Sequence, residues 1–133
     1  MAISLTLQEI SHFRSQLATY PEALEALDEI ENCEGDLEDA TISLALKAGQ
    51  EPDTSEKWLD SLAKRCRVAL CQENLRDDIK QDNLNIVMDR LIAQKICPVL
   101  LITPILIYVI KTGVDDFCEP LQYMKHPPQS PNN

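Results

Sequence analysis

Residues 96–110 read ICPVLLITPILIYVI, and every one of them except Thr103 is apolar or proline. Wound as an α-helix, fifteen residues reach about 22 Å, short of the roughly 30 Å hydrocarbon layer of a bilayer. Lys95 and Lys111 bracket the run. Lysines can snorkel, but an apolar stretch of this length reads foremost as a helix buried in a protein core. A helix that is hydrophobic all round needs amphipathic neighbours to wrap it. Part of the run exposed at a dimer interface is the second reading, and membrane contact is disfavoured. Burying about ten large aliphatic side chains contributes on the order of 15–30 kcal/mol gross, before chain entropy is subtracted.

Two prolines punctuate this stretch. Pro98 suits the first residue of a helix, where its missing N–H costs nothing. Pro104 inside a helix would remove a hydrogen bond and clash with the preceding turn, at about 3 kcal/mol or more. The expected escape is a break. Thr103 would leave helical geometry and cap a new helix beginning at Pro104, giving short segments from about Pro98 to Ile102 and from Pro104 to Thr112. Gly113 is placed to close the second.

Upstream, the apolar residues recur at helical spacing. Leu7, Ile10, Phe13 and Leu17 mark a first helix over about Thr6–Ala18. Pro21 opens a second, continued by Leu24, Leu27 and Ile30. Gly35 disturbs it. The favoured reading is one long helix that tolerates a glycine and ends at Gly49; the other makes Gly35 a helix stop and Asp36 a new N-cap. Asp53 and Glu56 resemble a capping box ahead of Trp58, Leu62, Cys66, Ala69 and Leu70. That helix passes straight into Leu75 and Ile79 or breaks near Asn74. Asp82 is the expected N-cap of another helix whose inner face is Leu84, Val87, Leu91 and Ile92. Glycine is scarce, at three residues, and aromatics make up only 5%, both against an extended sheet. The expected fold is all-α: a compact bundle of about five helices, with the apolar C-terminal helix, broken or kinked at Pro104, in the core. At 133 residues there is room for one core. Residues 1–125 read as a single helical domain and 126–133 (HPPQSPNN) as a disordered tail.

Charge is unevenly placed. Residues 1–53 carry twelve acids against two bases, Arg14 and Lys47, whereas residues 54–133 balance ten against ten. The whole net charge of −10 therefore sits in the first two fifths. Such a surface repels a phosphate backbone, which argues against nucleic-acid binding and suits a basic protein partner or simple solubility. The opening MAISL lacks the basic region of a secretory signal, and five scattered cysteines read as small buried thiols kept reduced. The expected setting is cytoplasmic.

The stretch from Cys97 to Leu101, with Lys111-Thr112-Gly113-Val114-Asp115-Asp116-Phe117-Cys118-Glu119, resembles the end of small all-helical cyanobacterial proteins of unknown function. The resemblance covers the last third of the chain. It implies an all-α fold and a cytoplasmic setting, and brings no catalytic residues.

Motifs that carry chemistry are thin. Glu9 and His12 have the E-x-x-H spacing of di-iron helical bundles, but the second pair such a site needs is missing. Glu22 and Glu25 have the E-x-x-E spacing that helical nucleotide pyrophosphohydrolases use for magnesium. Those enzymes need a second acidic pair on a following helix, whereas Glu25 and Asp28 merely overlap the first. Glu22, Glu25 and Asp28 are thus the only candidate metal ligands, and one pair supplies too few of them. Cys66 and Cys71, five apart on one helix, would point about 140° apart, and no zinc partner follows at finger spacing. The two histidines stand at opposite ends of the chain, and no glycine-rich phosphate loop exists. The leading expectation is a non-enzymatic helical protein acting through protein contacts, first with itself, without cofactor, metal or catalytic residues. The alternatives are a divalent-metal enzyme built on Glu22, Glu25 and Asp28, and an acidic DNA mimic that occupies a basic protein.

Overall fold

A computed structural model describes residues 3–51 and 58–125. Within them the chain forms nine helices rather than five: α1 (Leu7–Gln16), α2 (Pro21–Asn32), α3 (Leu37–Lys47), α4 (Trp58–Arg65), α5 (Arg67–Leu70), α6 (Glu73–Lys80), α7 (Leu84–Gln94), α8 (Val99–Thr112) and α9 (Val114–Lys125). No strand forms among the described residues; one isolated antiparallel bridge joins Ser4 to Asp36. The Asp53–Glu56 cap and the 126–133 tail lie outside the described residues.

The apolar run forms α8, which packs on α2, α3, α4, α7 and α9. Leu101 through Ile107 and Val109 are buried. Facing α8, α2 turns inward Ala23, Ala26, Leu27 and Ile30. No helix among the described residues is long and apolar enough to cross a membrane.

The predicted break at Pro104 is absent: α8 runs unbroken through Thr103 and Pro104 and ends at Gly113. Its N-cap is Pro98, whose carbonyl accepts from the Leu101 N–H at 2.9 Å. The bond missing at Pro104 would have ended on the carbonyl of Leu100, a half-buried residue in the first turn. That loss costs about 3 kcal/mol, and the apolar surface α8 buries as one rod outweighs it several-fold. Thr103 is fully buried and its hydroxyl has no partner, so it caps nothing.

Five helices, α2, α3, α6, α7 and α8, end on residues of positive φ, and glycine is not the only residue that supplies it. After α2, Glu34 (φ 58°) and Gly35 (φ 84°) return their N–H groups to Glu31 and Ile30. After α3, Gly49 and Gln50 return theirs to Leu46 and Ala45, and after α6, Asp82 and Asn83 reach Ile79 and Asp78. These are Schellman-type closures, with the first N–H bonding a carbonyl of the last turn and the next reaching one residue further back. Lys95 (φ 54°) ends α7. The single long helix through Gly35 is therefore two, with Asp36 capping α3 by accepting the Asp39 N–H at 3.1 Å. Asp82 closes α6 instead of opening α7, whose N-cap is Asn83. The segment after Trp58 breaks earlier than Asn74, at Cys66 and again at Cys71–Gln72.

Gly35 has a second duty. The Leu5 N–H donates to its carbonyl at 2.9 Å and the Leu37 N–H donates to the carbonyl of Ile3 at 3.0 Å, so residues 3–5 lie against the α2–α3 corner. A Cβ on Gly35 would meet the Leu5 carbonyl oxygen at 2.2 Å. That strap buries Leu5, while Leu7, expected on the inner face of α1, is 71% exposed. After Gly113 a further helix, α9, forms, and Val114, Phe117 and Cys118 share its buried face.

Candidate functional site

Two features stand outside ordinary core packing: the acidic face of α1–α3 and the cysteines around α5. On α2 the inward positions fix the outward ones, so Glu22, Glu25, Asp28 and Glu31 all face solvent. The two bases of this region are both committed there. The Arg14 guanidinium lies 2.8 Å from Asp28 and 2.7 Å from Glu31, and Lys47 reaches Glu29 at 3.9 Å and Glu25 at 4.0 Å. Ser43 donates to Glu29 at 2.7 Å.

The candidate metal ligands are not brought together around a common point. Glu25 turns toward Lys47 and Asp28 toward Arg14, while Glu22 sits exposed in the first turn of α2. Glu9 and His12 also part company. Glu9 forms a capping box with Thr6 and binds Lys111 at 2.8 Å, whereas His12 meets Asp82 at 2.8 Å. The Lys111 ammonium and the Thr6 N–H together hold the Glu9 carboxyl below its usual range. Among the described residues, no three or more His, Cys, Asp or Glu side chains are arranged to hold a metal ion.

Two tyrosines tie helices by donating to carboxylates. Tyr20 donates to Asp89 and, at 2.8 Å, to the Asn85 carbonyl, fixing the start of α2 to α7. Tyr108 donates to Asp60, fixing α8 to α4. Burial first, and then the neighbouring carboxylate, pushes each phenol up to about 12.

Four of the five cysteines occur in two pairs, one at each end of α5. Cys71, which ends α5, is disulfide-bonded to Cys118 of α9, with Cα atoms 5.6 Å apart. Cys66, which starts α5, and Cys97 of the α7–α8 loop influence each other's ionisation. The expectation that all five are separate reduced thiols fails for Cys71 and Cys118. Partners 47 residues apart leave no local spacing to read. Cys66 and Cys71 do point to different partners, but through a helix break at Cys66 and not along one continuous helix.

The three unbridged cysteines differ. The influence of Cys97 lowers the Cys66 thiol to about 7, against the opposing effect of burial and with help from nearby Arg65. The Cys97 thiol is raised, by Cys66 first and then by burial. Burial raises the Cys33 thiol too, with added repulsion from Glu29, Asp39 and Asp36. Arg67, beside Cys66, lies over the Phe117 ring at 4.9 Å, adding a cation–π contact between α5 and α9. No protein-family model, curated protein or solved structure matches this chain.

Proposed function

We propose that this chain is a non-enzymatic helical protein that works through protein–protein contacts, with a basic protein surface as its partner. The observation that supports this reading is the one-signed face of α1–α3, where both local cations are already taken up in ion pairs and the carboxylates beyond them look outward. Such a face speeds encounter with a basic surface and repels a second copy of itself. The apolar run, which as a sequence suggests self-association, is spent inside the monomer. The exposed large apolar residues, Leu7, Leu46, Val68 and Ile86, stand on four different helices. The setting we propose is cytoplasmic. There a bond such as Cys71–Cys118 opens and closes with redox state instead of serving as a permanent staple.

The test is capture from lysate at low and high salt, comparing the wild-type chain with Glu22→Lys/Glu34→Lys. A basic protein retained at low salt, released by salt and lost in the charge reversal supports the reading. Retention indifferent to the reversal refutes it. Light scattering across protein concentration reports on self-association. Thermal melts with magnesium or manganese report on the metal alternative, because a bound ion raises the melting temperature.

A further inference from the structure

Few ties join α9 to the rest of the fold, and one of them is covalent. The helix leaves α8 through Gly113 (φ 101°) and packs on α5, α6 and α8. Its described buried face is short: Val114, Phe117 and Cys118. The Arg67 guanidinium of α5 lies 4.9 Å from the centre of the Phe117 ring, and Asp115 meets Arg76 at 2.9 Å and Lys80 at 2.8 Å on α6. The Asp115 side chain is more than half exposed, so these ion pairs hold α9 only weakly. Pro120, inside α9, has no N–H to give to the helix ladder. Cys71–Cys118 is the tie that fixes α9 across α5.

The elements that α9 covers are themselves dependent. α5 is four residues long and α6 eight, and neither has a side-chain cap at its N-terminus. Helices that short keep their shape only through packing. α5 packs on α4, α7 and α9, and α6 on α7 and α9, whereas the central α8 is also wrapped by α2, α3, α4 and α7.

We propose that Cys71–Cys118 is a redox latch: its reduction by a small dithiol releases α9 from α5 and α6, while α1–α4, α7 and α8 stay folded. Such a latch requires the reducing setting proposed above and no particular partner for the acidic face. A thiolate of the dithiol attacks the Cys71 sulfur, the more accessible of the two at 8% exposed against 0% for Cys118. The S–S bond breaks, and its electron pair leaves on the Cys118 sulfur, which takes up a proton. The second sulfur of the dithiol then displaces Cys71, which takes up the other proton. Two cysteine thiols and one disulfide of the reductant result, so two electrons and two protons have passed from the dithiol to the chain. Without the bond, α9 swings away about Gly113 and uncovers Val114, Phe117 and Cys118, and α5 loses one of the surfaces that order it.

The experiment compares the oxidised chain with the same chain in dithiothreitol, without denaturant, by amide exchange and by pulse alkylation read in a mass spectrometer. Cys71 and Cys118 should both become alkylatable. Exchange in α9 and α5 should rise on the order of a hundredfold, while α2, α3 and α8 keep their protection. Cys118→Ser, which cannot form the bond, should show the open pattern with or without dithiothreitol. Glutathione, a monothiol, should leave its adduct on Cys71 and a free thiol at Cys118. Alkylation of both cysteines with α9 still protected would show that the bond is only a staple and overturn the proposal. So would exchange rising together in every helix, a bond that yields only once the whole chain unfolds, or an adduct on Cys118. The wild-type comparison needs no substitution, so it decides the matter even where the variant fails to fold. No partner protein is present, which keeps the outcome separate from that of capture from lysate.

Discussion

Residues 3–51 and residues 58–120 face the same problem, short helices that must be fastened to a shared apolar rod, and they solve it with different chemistry. The first region has no covalent link. Its ties are a three-residue strap against Gly35, ion pairs from Arg14 and Lys47, and the alanine-lined face of α2 on α8. The second region has balanced charge and fastens its shortest helix with one disulfide and an Arg67–Phe117 contact. Charge explains part of the division. An excess of carboxylates helps keep Cys33 protonated and unreactive, whereas Arg65 beside Cys66 favours the thiolate. Sulfur chemistry is available where the field is neutral or positive.

Breaking the sulfur tie is the strongest challenge to this contrast. The Cys71–Cys118 bond closes a 47-residue span, and loop entropy alone makes its loss worth about 4 kcal/mol. Mild reduction should lower the urea midpoint accordingly, with amide exchange rising first in α5 and α9. Protection lost first in α1–α3 would mean that the two regions are not separately fastened.

The matching test on the acidic side is Gly35→Ala. It combines a positive φ with a Cβ 2.2 Å from the Leu5 oxygen, and should cost about 3 kcal/mol. Gly49→Ala is the control, with a similar φ of 78° but nothing within 4 Å; it should cost only about 1 kcal/mol. Equal losses in urea titrations would remove the strap from the account.

Thr103→Val probes the rod that both regions share. Because the Thr103 hydroxyl is buried and unbonded, a methyl in its place should stabilise the fold by about 1 kcal/mol. A loss of similar size in thermal melts would show that the hydroxyl caps a break after all.

The smallest effect belongs to Glu9→Gln. The folded pKa of Glu9 is depressed, chiefly by Lys111, so the stability it contributes is present above its unfolded pKa and is lost as pH falls through the folded value. The pair is partly exposed, which limits the difference at neutral pH to a few tenths of a kcal/mol. That difference should vanish in urea titrations carried out well below about pH 4. A gap that persists in acid would place the effect in the cap geometry and not in the charge.

The helical class, the core-forming spacing of Trp58, Leu62, Ala69 and Leu70, and the closing role of Gly113 are legible in the sequence, because periodicity reports which face is buried. Helix ends are less so. Glu34, Asp82 and Lys95 adopt left-handed conformations that local rules assign to glycine, and tertiary bonds such as His12 and Gln16 to Asp82 help hold one of them there. At Pro104 local rules mislead for the opposite reason: they set a penalty of a few kcal/mol against nothing, when the burial of a continuous α8 outweighs it. The Cys71–Cys118 bond is invisible in the sequence, since its partners meet only once α5 and α9 are assembled. The alternative metal ligands Glu22, Glu25 and Asp28 are visible as a motif, but Lys47 and Arg14, which draw two of them apart, lie on other helices.

The central place of α8 has a consequence for synthesis. α2 and α3 have their apolar faces ready early, but the helix they pack on begins at residue 99, 78 residues after α2 begins at residue 21. At roughly 5–20 residues per second, those faces wait about 4–16 s on the ribosome for their partner. The waiting helices belong to the most negatively charged part of the protein. Its repulsion from other nascent chains of the same kind guards the waiting apolar surface until α8 emerges and seals it.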